Sequence, residues 1–197
     1  MSGLEIERKF LVRKDAKWKE QATSSTHIRQ GYFASVNTVR IRIRDDKAYL
    51  TIKGPSLDGG LSRYEFEKEI TTDEAEHLLQ LCEPGIIDKR RYLIPYEGHT
   101  YEVDEFYGDN EGLVMAEVEL KHSDEAFARP PFLGPEVTGD HRFYNKQMRA
   151  NPFKNWRATL PKAFQESWPG PLRPRRQEGR ATRHCDVHPC SRLEATL

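Results

Sequence analysis

Cysteine is scarce in this chain. Of the three present, Cys185 and Cys190 lie near the C-terminus and Cys82 stands alone in the body. That excludes a disulfide framework and makes a reducing, cytoplasmic setting the expected one. No run approaches the roughly 20 apolar residues that span a bilayer. The first residues also lack the apolar stretch of a secretory signal, so no membrane partner and no export are expected. Net charge is missing as well, since 31 Lys and Arg balance 31 Asp and Glu. A neutral chain offers no global electrostatic reason to bind nucleic acid, and none is expected as a partner.

What the chain does have is charge arranged in stripes. Apolar residues make up 37% and charged residues 31% of its 197 positions, enough for one domain with a substantial core. In an extended stretch, side chains alternate between two faces. Through Met1 to Val12 that puts Glu5, Glu7 and Lys9 on one face, with Leu4, Ile6, Arg8 and Phe10 on the other. The same inversion recurs along the chain. Residues 37–44 set Arg40, Arg42 and Arg44 against Val39, Ile41 and Ile43. Residues 48–53 add Thr51 and Lys53, and residues 62–70 set Glu65 and Glu67 against Tyr64 and Phe66. Residues 86–94 carry Lys89 and Arg91 up to a stop at Pro95, and residues 100–106 carry Glu102 and Asp104. Residues 113–120 place Glu117 and Glu119 opposite Val114, Ala116, Val118 and Leu120.

With a short strand at 28–33, these stretches make eight strands. Helices are expected at 13–22 around Trp18, at 71–82 behind a Thr71 cap, at 123–127, and at 140–150. The expected fold is therefore α+β: a closed antiparallel eight-stranded β-barrel with a charged lumen and helices packed outside. The lumen would hold Lys9, Arg40, Arg42, Arg44, Lys53, Lys89 and Arg91 together with Glu5, Glu7, Glu65, Glu67, Glu102, Asp104, Glu117 and Glu119. Beyond Trp156 the composition changes. Residues 157–197 hold eight Lys and Arg against four Asp and Glu, with few aliphatics and no periodicity. The expected division is a domain over 1–156 and a disordered tail over 157–197, whose native origin stays open. His184, Cys185, His188 and Cys190 match no common zinc spacing.

Cations and carboxylates in one lumen call for a ligand carrying both signs. Guanidinium and ammonium groups match phosphate oxygens, and clustered carboxylates match a hard cation such as Mg²⁺ or Mn²⁺. A polyphosphate with a divalent metal satisfies both sets.

Glu5-Ile6-Glu7-Arg8-Lys9 resembles the ExExK signature of the CYTH superfamily, the triphosphate tunnel metalloenzymes. Further matches follow in order at Arg29-Gln30-Gly31-Tyr32, Arg40-Ile41-Arg42, Thr51-Ile52-Lys53, Glu65-Phe66-Glu67 and Lys89-Arg90-Arg91-Tyr92. Glu102-Val103-Asp104, Glu117-Val118-Glu119 and Tyr144-Asn145 complete the likeness, which spans about residues 3 to 155. It is strongest to the bacterial inorganic triphosphatase branch. The resemblance implies that Glu5, Glu7, Glu67, Asp104, Glu117 and Glu119 gather Mg²⁺ or Mn²⁺. It likewise implies that Lys9, Arg40, Arg42, Lys53, Lys89 and Arg91 hold the substrate. Lys9 and Tyr32 are the candidate catalytic pair, with Lys9 expected against the Tyr32 hydroxyl. Glu65 and Glu102 could instead face outward at a bulge.

The implied activity is metal-dependent hydrolysis of inorganic triphosphate to diphosphate and phosphate, without a covalent intermediate. Alternatives are an adenylate cyclase of the same class, a nucleoside or thiamine triphosphatase, and a non-enzymatic polyphosphate binder. Monomer and homodimer both remain open.

Overall fold

The computed structural model describes residues 6–57, 62–122 and 124–165, with the backbone alone at 55–57 and 62–65. Among the described residues nine strands follow one another: β1 (Ile6–Val12), β2 (Ser24–Tyr32), β3 (Thr38–Arg44), β4 (Lys47–Leu57), β5 (Ser62–Ile70), β6 (Ile87–Tyr96), β7 (His99–Phe106), β8 (Val114–Leu120) and β9 (Leu133–Glu136). Two α-helices accompany them among the same residues, α1 (Thr72–Leu81) and α2 (Asn145–Ala150).

All nine strands form one antiparallel sheet in the order β5-β4-β3-β2-β6-β7-β8-β1-β9. The sheet is open, with β5 and β9 at its edges. This corrects the expected closed eight-stranded barrel on two counts. Period-two patterning tells which face a side chain takes, but neither which strands pair nor whether the first and last meet. The ninth strand, Leu133-Gly134-Pro135-Glu136, carries a Gly and a Pro that read as breakers. At a sheet edge, where one row of N–H groups needs no partner, Pro is tolerated. Pro95 follows the same rule. The β2 register ends at Ser24 against Leu93, so Pro95 pairs only with Thr100 of β7.

The sheet is nonetheless strongly curved, because residues from β1 through β8 line one cavity of about 830 Å³. Its convex face is apolar and covered. Phe10, Val12, Val103, Ala116 and Val118 pack with Trp18 and Phe132. Trp18 is the buried residue of a 3-10 turn at Trp18–Gln21, which replaces the longer helix expected over 13–22. α1 covers the other half, setting Ala75 and Leu79 on Ile41, Ile43 and Ala48. It begins as expected at Thr71, whose side chain accepts from the Glu74 N–H while Glu74 returns a bond to the Thr71 N–H. Gly31 lets its C-terminal end come close, since a Cβ there would lie 2.9 Å from the Cys82 sulfur and 2.8 Å from Ile86.

The concave face changes character along each strand. At one end Leu11, Ile87, Phe106 and Met115 meet Phe143, Met148, Phe153 and Trp156, which form an apolar floor. Further along the same strands the inward positions become Lys9, Lys89, Asp104 and Glu117. The floor comes in part from the expected last helix, here split into a 3-10 turn at His141–Phe143 and α2, and in part from Phe153 and Trp156 beyond it. Leu160 and Phe164 also pack against it; 166–197, the rest of the expected tail, lies outside the described residues. Residues 124–127 are not helical.

Candidate active site

The cavity is electrically divided. Arg40, Arg42 and Lys53 reach it from β3 and β4, and Glu7, Glu102, Glu117 and Glu119 from β1, β7 and β8. Lys9, Lys89 and Arg91 lie among the acids.

The deepest charges are mutually neutralised. Lys89 is 1% exposed and donates to Asp104 Oδ2 at 2.5 Å. Arg91 makes a two-pronged contact to the same carboxylate, Nε to Oδ1 at 2.7 Å and Nη2 to Oδ2 at 2.6 Å. Against the cost of burial, these two cations hold Asp104 well below the usual carboxylate range. Burial, and then Arg91, push Lys89 below the ordinary lysine value. Arg91 also donates to Glu102 and reaches Glu117 Oε2 at 3.2 Å. Since Glu117 stands two strands from Arg91, that contact depends on the sheet's curvature.

Lys9 is 5% exposed and donates to Glu117 Oε1 at 2.6 Å, with Glu7 at 2.7 Å. Burial opposes its charge, yet Glu117 and Glu7 outweigh it and raise the Lys9 pKa. The expected Lys9–Tyr32 contact is not what the fold produces. β1 and β2 are separated by β8, β7 and β6, and the Lys9 ammonium lies 5.4 Å from the Tyr144 ring centre instead. Tyr32 accepts at its hydroxyl from Gln30 Nε2 at 3.0 Å. Burial, countered by Arg40 and Arg42, raises its pKa.

The β3 wall is different. Arg42 donates from Nε to the neutral Gln30 Oε1 at 3.0 Å and has no carboxylate partner among the described residues. Burial, then Arg40 and Arg91, lower its pKa to about 10, so it stays charged at neutral pH. Arg40 donates from Nη2 to Thr51 at 3.2 Å and lies 3.7 Å from Glu67, but its buried Nε has no acceptor among the described residues. Thr51 passes its own hydrogen to Glu67 at 2.8 Å. Lys53 lines the cavity beside them.

The acidic wall holds like charges in register. Glu7 is paired directly with Glu119, and Glu102 with Glu117. Like charges directly opposite destabilise a sheet unless a cation lies near. Lys9 and Arg91 serve Glu7, Glu102 and Glu117, whereas Glu119 forms no ion pair among the described residues. Oxygen-only carboxylates of this kind fit a hard divalent cation. Among the described residues, however, no three such groups are already gathered at metal-binding distances.

The fold thus brings Lys9, Tyr32, Arg40, Arg42, Lys53, Lys89, Arg91, Glu7, Glu67, Glu117 and Glu119 to one cavity, with Asp104 just beneath it. Glu102 faces inward with them. Arg44 is exposed at the end of β3. Glu5 and the Glu65 side chain lie outside the described residues. The sequence reading puts Thr51 on the face of Lys53 and includes Gln30 and Tyr144 in the family likeness, but gives none of the three a role in the site. Gln30 and Thr51 share strand faces with Tyr32 and Lys53, so parity alone could have given them one. Tyr144, beside the short helix, carries no periodic signal.

Comparison with known proteins agrees with this geometry. The CYTH domain model matches residues 3–144. The chain is 48% identical over 158 residues to an inorganic triphosphatase of Acetivibrio thermocellus, covering 79% of this chain and 99% of that one. It is 36% identical over 151 residues to an inorganic triphosphatase of Nitrosomonas europaea, covering 73% and 95%. The crystal structure of an inorganic triphosphatase superposes with a TM-score of 0.59 at 31% identity, covering 74% of this chain and 93% of that one. The match to the family runs through every strand from β1 to β9, and the chain belongs to the CYTH domain family.

Proposed function

We propose that the protein hydrolyses inorganic triphosphate to diphosphate and phosphate with a divalent cation, Mg²⁺ or Mn²⁺, held at the acidic wall. The observation that carries this reading is the β3 wall. Among the described residues, Arg42 is a largely buried cation without a carboxylate, and Arg40 holds a buried N–H without an acceptor. Buried donors are nearly always satisfied, and a phosphate chain supplies oxygens to both. The two relatives are inorganic triphosphatases, which favours the free triphosphate over a nucleotide.

In this reading Arg40, Arg42 and Lys53 grip the phosphates, and Glu7, Glu117 and Glu119 hold the metal. A bound divalent cation would neutralise phosphate charge and lower the pKa of a coordinated water. Lys9 keeps Glu7 and Glu117 together from below. Lys89, Arg91 and Asp104 form a rigid buried set that supports the acidic wall. Among the described residues no helix is long and apolar enough to cross a membrane, in keeping with a cytoplasmic enzyme.

The reading is tested by Arg42→Met. Titration with tripolyphosphate in the absence of metal should stabilise the wild type against heat and leave the variant almost unaffected. Equal stabilisation of both proteins by tripolyphosphate would remove Arg42 from the site.

A further inference from the structure

We infer that Gln30 is a positioning residue for the substrate anion: one buried amide fixes Arg42 and Tyr32 as donors facing the cavity, an inference that rests on the triphosphate reading above. Gln30 is fully buried. Its Oε1 accepts from Arg42 Nε at 3.0 Å, and its Nε2 donates to the Tyr32 hydroxyl at 3.0 Å. Both groups line the cavity. The register explains how one side chain serves both, since Gln30 stands opposite Arg42 and Tyr32 lies two residues along on the same face of β2.

Each bond has a directional consequence. Holding Arg42 by Nε ties the inner edge of the guanidinium and leaves its two terminal nitrogens for the cavity. A hydroxyl that accepts from Gln30 must send its own hydrogen elsewhere, and the nearby Arg40 guanidinium has donors only. The Tyr32 hydrogen is therefore available to a phosphate oxygen.

The neutrality of Gln30 matters as much as its shape. A glutamate here would make the same contact to Arg42 but neutralise it, and the cavity would lose a cation that has no carboxylate partner among the described residues. An amide orients the arginine without spending its charge. Gln30 thus separates two properties that a carboxylate would merge, fixed geometry and free positive charge.

The test compares wild type, Gln30→Met and Gln30→Glu by calorimetric binding of tripolyphosphate without metal, alongside thermal melting. Gln30→Met should weaken binding about tenfold, the loss expected when a hydrogen bond to a charged group disappears. Gln30→Glu should bind more weakly still yet melt at a higher temperature, because its carboxylate pairs with Arg42. Between wild type and Gln30→Glu, affinity and stability should therefore move in opposite directions. A merely structural glutamine predicts that affinity follows stability, and that result would overturn the assignment, as would wild-type binding by Gln30→Glu. If Gln30→Met does not fold, Gln30→Glu against wild type decides by the same two readings. A wild type that binds tripolyphosphate but releases no phosphate from it, with a divalent metal present, would overturn the hydrolase reading. Binding would still judge Gln30 on its own. A wild type that does not bind tripolyphosphate would overturn both.

Discussion

Lys89 and Asp104 are joined at 2.5 Å with only 2% of either side chain exposed, the most deeply buried ion pair among the described residues. Their neighbours explain why they survive there. Phe106 lies under the Lys89 ammonium at 5.6 Å, and Arg91 satisfies the same carboxylate from the other side. Removing one partner of such a pair leaves an uncompensated buried charge, which costs about 3–5 kcal/mol. Asp104→Asn should therefore destabilise the protein by about that amount, read by denaturant unfolding. Lys89→Met combined with Asp104→Asn should recover part of it.

The pH dependence has a definite sign. Asp104 has a lower pKa folded than unfolded, so its contribution is present above the unfolded value near 3.8. It is lost as pH falls through the lower folded value. Wild type should thus lose stability faster than Asp104→Asn below pH ~4, and the gap between them should narrow in acid. A constant gap would mean that Asp104 does not stabilise the fold as an anion.

In the proposed reading, Glu119 and Glu117 separate metal binding from folding. Glu117 is tied to Lys9 and Arg91, whereas Glu119, which forms no ion pair among the described residues, has the like charge of Glu7 opposite. Glu119→Gln should leave stability unchanged or slightly raised while weakening divalent-metal dependence about tenfold or more. Glu117→Gln should weaken the same dependence and lower stability as well. Identical metal titrations for wild type and Glu119→Gln would take Glu119 out of the metal site.

Much of this site was legible in the sequence because it is written in period two. Arg40 and Arg42, or Glu117 and Glu119, declare their shared face by alternation against Ile41 or Val118. The convex packing of Ile41, Ala48 and Val118 follows from the same pattern. What alternation cannot carry is the order of strands, and the misplacement of Lys9 beside Tyr32 came from that gap. Adjacent in the early chain, β1 and β2 lie at different places in the sheet, and Tyr144, 135 positions after Lys9, takes the predicted neighbour's place. The division of Glu117 between Lys9 and Arg91 depends on curvature, which leaves no local signature. β9 stayed hidden because four residues containing Gly and Pro have too little pattern to read.

The central claim, that this cavity cleaves a free triphosphate, is met most directly by one assay. Purified protein is offered tripolyphosphate, ATP and thiamine triphosphate side by side, with Mg²⁺, with Mn²⁺ and with chelator, and both phosphate and cyclic AMP are measured. The expected result is metal-dependent phosphate release that is fastest from tripolyphosphate, with no cyclic AMP. Cyclic AMP as the main product from ATP, or no phosphate from tripolyphosphate with either metal, would contradict it.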